Sequence, residues 1–190
     1  MEVVRGTTFH SVHEEGSLYF ITATVVGWKE LFWREEYANI ILSSLVWLRE
    51  YKKIELFAFV LMPHHLHALM KPVEGATIGN VLQKFGSFTA HELLKALRKN
   101  KEASLLEFFQ NAAVHKKSKE EHHLWQQIQA KNVYSEKVIL QKMEYIHNNP
   151  VAKHWQLAEE RWEYRYSSAC YYDKQMEPII AIDDVAELFE

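Results

Sequence analysis

His65 and His67 lie one residue apart in FAFVLMPHHLHALMKP (57–72), an apolar run interrupted by imidazoles. Side chains alternate along a strand, so these two share a face while Leu66 and Ala68 point the other way. Two imidazoles about 7 Å apart along a strand can converge on one divalent ion, leaving positions open for a third ligand and for substrate oxygens. The spacing also suits a polar strand face whose histidines meet water or carboxylates, and by itself does not separate the two readings.

The surroundings remove several metal folds. A cupin-type site wants a glycine before the pair and a glutamate soon after, whereas Pro63 precedes it and Glu74 comes late. Metal-dependent barrel hydrolases need a much longer chain. Two-histidine phosphodiesterases need a His-x-Ser/Thr element twice, and this sequence lacks it. His122 and His123 are adjacent, would diverge on a regular element, and read as surface. His10 and His13 lie in an N-terminal stretch without a clear element.

The elements that must position the pair follow from periodicity. SLYFITATVV (17–26) reads as a buried strand. WREEYANIILSSLVWLREYKK (33–53) reads as an amphipathic helix, with Tyr37, Ile40, Ile41, Leu45 and Leu48 at spacings of three and four. IELFAFVLM (54–62) and HLHALMKP (65–72) give two further strands, close enough for a hairpin. Thr77 caps a helix from about Ile78 to Arg98, with Ile78, Val81, Leu82 and Phe85 on one face. Residues 99–123, rich in Lys, Glu, His and Ser, read as an exposed, mobile connection with a short helix near SLLEFF. Ser135 caps a helix, EKVILQKMEYIH, stopped by Asn148, Asn149 and Pro150. Strand, helix, strand, strand, helix is most of a ferredoxin-like α/β sandwich. The expected class is therefore α+β, with an antiparallel sheet and additional C-terminal helices. One domain spans 1–190, with its core at about 17–172 and a tail at 173–190.

The bulk properties agree. A chain of 190 residues, 48% hydrophobic and 13% aromatic, can bury a core without disulfides. The lone Cys170 fits a reducing compartment. No leader pattern and no apolar run near the roughly 20 residues of a membrane span is present, so a soluble cytoplasmic protein is expected. A formal charge of −3 argues against wholesale wrapping of nucleic acid but leaves room for a local basic patch.

The MPHHLH segment resembles the M-P-N-H-hydrophobic-H segment of HUH-type single-strand DNA transposases, above all the REP-associated tyrosine transposases and their insertion-sequence relatives. QKFGSFTAHEL (83–93) resembles the helix after their metal strand. LWQQ (124–127), QKMEYIHNNPV (141–151) and WEYRYSSACYY (162–172) resemble the tail of the REP-associated group. The likeness runs, with gaps, from about residue 17 to 172, and the ordered set is far more specific than the histidine pair.

The resemblance implies a ferredoxin-like fold, usually dimeric, that acts on hairpin-forming single-stranded DNA. His65 and His67 match the pair that holds Mg²⁺ or Mn²⁺, and a polar side chain of the following helix, His91 or Glu92, is the expected third ligand. In the family a helix tyrosine attacks the scissile phosphate, forming a 5′-phosphotyrosine link and freeing a 3′-hydroxyl. That tyrosine position falls on Phe88, which has no oxygen nucleophile and extends the apolar stripe, so Phe88 reads as a core aromatic. Gly86 stands where relatives often carry a basic residue, and His64 where they commonly carry asparagine. Tyr145, between apolar Met143 and Ile146, reads as core. Tyr134, near a loop, is the freer candidate nucleophile. Tyr164, Tyr166, Tyr171 and Tyr172 suit packing or base stacking.

Lys95, Arg98, Lys99 and Lys101, then Lys116, Lys117 and Lys119, are candidate phosphate contacts, although glutamates are interleaved among them. Arg161 and Arg165 among Trp162, Tyr164 and Tyr166 offer cation and stacking surfaces together. Three functions follow as expectations. The first is a metal-dependent single-strand transposase. The second is a degenerate or domesticated binder of DNA structure without a nucleophile. The third is a metal-dependent phosphodiesterase that uses water.

Overall fold

The structure, a computed structural model, describes residues 16–51, 53–116 and 121–189. Strands β1 (Leu18–Val25), β2 (Ile54–Met62), β3 (His65–Pro72) and β4 (Trp125–Val133) form one antiparallel sheet in the order β2-β3-β1-β4. With helices α1 (Glu35–Glu50) and α2 (Ile78–Lys99) crossing between strands on a shared face, this is the ferredoxin-like arrangement. Three helices complete the chain: α3 (Ala103–His115), α4 (Glu136–Asn148) and the short α5 (Ala169–Lys174). Among the described residues no helix is long and apolar enough to cross a membrane.

Alternation along the strands gives the sheet two apolar faces. Tyr19, Ile21 and Ala23 of β1 and Leu66, Ala68 and Met70 of β3 face α1 and α2. Leu18 and Phe20 of β1, Val60 of β2 and Leu69 of β3 face the other way, against Ile139, Met143 and Ile146 of α4. His65 and His67 are in phase with Leu69, so they lie on the α4 face. A one-residue slip of β3 would carry both histidines under α2.

One expectation for the middle of the chain is corrected. Residues 99–123 are not a connection with a short helix: α3 is a 13-residue helix that buries Phe109 and Ala113. The next segment is the fourth strand, β4, paired with β1 from Leu18↔Val133 to Val25↔Trp125. Gly86 allows α2 to approach β4, since a Cβ there would sit 2.6 Å from Ile128 Cδ1. Three residues on, Thr89 Oγ1 accepts a hydrogen bond from Trp125 Nε1 at 3.0 Å. Any side chain there would require Ile128 to move.

The C-terminal segment runs along the outer edge of β2. Leu61 N donates to the Tyr166 carbonyl at 2.8 Å and Ser168 N to the Phe59 carbonyl at 3.0 Å. Further along, Asp183 N donates to the Leu56 carbonyl at 2.7 Å, while Leu56 N donates back to Asp183 Oδ2 at 2.8 Å. The Tyr164 and Tyr172 hydroxyls donate to the Leu61 and Phe57 carbonyls. Burial raises both phenols above their ordinary range. These two aromatics of the tail are packing groups.

Candidate active site

β3 delivers His65 and His67 to the α4 face of the sheet, both almost fully buried and with ring centroids 4.7 Å apart. Burial is the main cause that pushes His65 down to about 3, aided by His67 and His64, and His67 down to about 4, aided by Lys142. Both imidazoles are therefore neutral at neutral pH, the state in which a ring nitrogen offers a lone pair.

Each ring is held on one side. Thr22 Oγ1, from the paired residue of β1, lies 3.0 Å from His67 Nδ1, and His67 is also hydrogen-bonded to the Ile21 backbone. His65 Nδ1 lies 2.7 Å from His64 Nδ1. Phe20 stacks on His67 at 5.1 Å. Engaging Nδ1 of both rings fixes their orientation and leaves the Nε2 atoms as the outward-facing donors.

α4 supplies what faces them. Its buried stripe is Ile139, Met143 and Ile146, at spacings of four and three. Tyr145 is turned about 100° from Ile146 and is 51% exposed instead of buried in the core. Its Oη reaches within 3.4 Å of His67 Nε2, with ring centroids 5.1 Å apart. One turn on, the Asn149 side chain hydrogen-bonds to His65. Three residues before Tyr145, Lys142 Nζ lies 4.8 Å from the Phe20 ring centroid. The two histidines, Tyr145 and Asn149 thus meet at one spot, beside a cleft of about 460 Å³ lined by His65, Tyr145 and Asn149 together with Glu144 and Trp155.

The residues proposed from α2 do not join them. Phe88 is 56% exposed, not a core aromatic, because the buried stripe passes from Phe85 to Gly86, Thr89 and Leu93. α2 covers the opposite face of the sheet, so His91 and Glu92 cannot meet the pair from there. His91 Nε2 lies 3.8 Å from Glu92, which also bonds Lys95 at 3.2 Å. Tyr134 is exposed but follows Val133, the partner of Leu18, four residues along β1 from Thr22. Among the described residues no group of three or more His, Cys, Asp or Glu side chains is placed to hold a metal. The side chain that joins the histidines is an amide, Asn149.

Several of the candidate phosphate contacts are engaged within the chain. Arg98 pairs with Glu121, Lys99 with Glu36, and Lys116 Nζ lies 3.0 Å from His123 Nε2. Lys117 lies outside the described residues. Arg165 pairs with Glu35 at 2.8 Å, and its guanidinium sits 5.6 Å from the Tyr166 ring centroid. Arg161 bonds Asp173 through two nitrogens, at 2.7 and 2.8 Å, and Glu144 at 2.7 Å. His122 and His123 are half-buried rather than free surface groups.

No protein-family model matches the sequence, and no curated protein matches it. Among solved structures, a REP-associated tyrosine transposase bound to a REP hairpin superposes with a TM-score of 0.63. The match covers 95% of this chain and 93% of that one, at 15% identity. The chain shares the fold of that transposase. A candidate transposase of Deinococcus radiodurans R1 is a weaker likeness, with a TM-score of 0.44 and 17% identity over 78% of this chain and 97% of that one.

Proposed function

We propose that the chain binds hairpin-bearing single-stranded DNA and cleaves and rejoins one strand, with Tyr145 as nucleophile and a divalent ion, Mg²⁺ or Mn²⁺, at His65, His67 and Asn149. The observation that carries this reading is Tyr145 Oη, on a half-exposed side chain, within 3.4 Å of His67 Nε2. A fold shared with a transposase solved on a DNA hairpin supports the choice of substrate.

The donor set fits the ion. Two neutral imidazoles with Nδ1 engaged are metal-ready, and an amide oxygen is a hard donor suited to Mg²⁺ or Mn²⁺. When bound, the ion supplies Lewis-acid charge to the scissile phosphate. The chain's own groups do the rest. Tyr145 Oη forms the bond to phosphorus, and the bond from phosphorus to the 3′-oxygen breaks. The phenolic proton ends, through solvent, on the freed 3′-hydroxyl. The phosphotyrosine ester conserves the bond energy, so the strand can be rejoined without ATP. Lys142, on the same face of α4, offers a positive charge to the phosphate that approaches.

The experiment is incubation with hairpin-bearing single-stranded DNA and Mn²⁺, followed by a denaturing gel and peptide mapping. A covalent adduct on Tyr145 is expected. Nicking without an adduct would instead indicate water as the nucleophile, and tight binding without either would indicate a binder. On this reading the nucleophile comes from α4, a different helix from the one that carries Phe88.

A further inference from the structure

A carboxylate is out of place in a cleft that receives a polyanion, and Glu144 is such a carboxylate. It lines the cleft beside His65 with its side chain about 60% exposed. Arg161 Nη1 at 2.7 Å and Asn148 Nδ2 at 3.0 Å both bond its Oε2, so neither of these bonds engages Oε1. The Arg161 guanidinium holds this carboxyl below its usual range, so it is ionised, accepts hydrogen bonds only, and repels phosphate.

An indole lines the same cleft. The Trp155 ring is nearly perpendicular to that of His64, with centroids 5.1 Å apart, lies 6.4 Å from His65, and is 5.9 Å from the exposed ring of His154. It is partly buried against the α4-side core, so its plane is fixed before any ligand arrives. A flat, pre-set π-surface in the same cleft as an acceptor-only group suits a flat ligand with an edge N–H. In a strand held at the histidines, that ligand is a base.

We propose that this cleft is a subsite for one unpaired nucleobase bearing an exocyclic amino group, stacked on Trp155 and hydrogen-bonded through that amino group to Glu144 Oε1. Adenine, cytosine and guanine offer such a donor, whereas thymine offers only its ring imide. The proposal rests on the single-strand reading above, to which it adds base selection at a position next to the scissile phosphate. The cleft, about 460 Å³, falls in the ~300–1,000 Å³ range of small-ligand pockets.

The test uses the full chain and hairpin oligonucleotides with single-stranded flanks. An abasic site is stepped through each unpaired position, and all four bases are then compared at the sensitive one. One position is expected at which base removal weakens binding roughly tenfold, the scale of a lost base–aromatic stack. At that position adenine, cytosine and guanine should outbind thymine, and Glu144→Gln should narrow the gap. Trp155→Ala should erase the abasic penalty; should that variant fold poorly, Trp155→Leu and the wild-type scan serve the same purpose. If hairpins are bound and adducts form with no position sensitive to base removal, or with thymine preferred, the subsite is wrong while the strand-transfer reading survives. If hairpin DNA is not bound at all, both fall.

Discussion

Tyr145 Oη and His67 Nε2 lie 3.4 Å apart although their residues are 78 positions apart in the chain. β3 brings one and α4 the other, and the Phe20 ring packs against both, at 5.1 Å from His67 and 5.8 Å from Tyr145. Tyr145→Phe is therefore expected to abolish the covalent adduct while leaving hairpin binding intact. Because the side chain is half-exposed, thermal stability should change by no more than about 0.5 kcal/mol. Gel-shift, denaturing gel and thermal melts together check this.

Phe88→Tyr places a hydroxyl on α2, across the sheet from the histidines. In the Tyr145→Phe background it should restore no adduct. Any restoration, read on the same denaturing gel, would mean that α2 reaches the site.

Thr22 Oγ1 at 3.0 Å from His67 Nδ1 helps to orient that ring. Thr22→Val should weaken Mn²⁺ binding by roughly 10- to 100-fold in calorimetry, the usual cost of losing such an outer contact. Thr22→Ser, which keeps the hydroxyl, should retain most of the affinity.

Acid should unfold the metal-free protein early. Burial lowers His65 to about 3, and His67 and His147 to about 4, against an unfolded value of about 6.5. The unfolded chain thus takes up protons first as pH falls. Stability is complete above pH ~6.5 and is lost as the pH drops through about 4. A fall in melting temperature on the order of 10 °C between pH 7 and pH 4 is expected. Mn²⁺ should move that loss to lower pH, because it binds the neutral rings.

Arg161 joins α4 to α5 through Glu144 and Asp173, with only 23% of its side chain exposed. Arg161→Met leaves two carboxylates facing each other without a cation. Chemical denaturation should show a loss of about 1–3 kcal/mol. Arg161→Lys should recover only part of it, since a single ammonium cannot reproduce the forked contact.

Much of the fold was legible because strong periodicities coincide with buried faces. The stripes in 33–53 and 78–98 became α1 and α2, and the His-x-His alternation put both rings on one side of β3. β4 escaped because its outward positions include Gln126, Gln127 and Lys131, so the apolar alternation is broken. Tyr145 departs from expectation because apolar neighbours in sequence are not neighbours in space: the buried line of α4 runs Ile139, Met143, Ile146, and Tyr145 falls beside it. Phe88 departs for the complementary reason, since the buried stripe of α2 turns through Gly86 and Thr89. Asn149 had a signal in the helix-ending Asn-Asn-Pro, but amides carry little metal-binding weight without geometry. Trp155 and Glu144 had none, because their meeting depends on the turn after α4.

The strap formed by Tyr166, Ser168 and Asp183 occupies the free hydrogen-bonding groups of Leu61, Phe59 and Leu56. Two copies of the chain therefore cannot zip their sheets into one continuous ribbon along the β2 rim. The β3 histidines and the α4 tyrosine meet within a single copy of the chain.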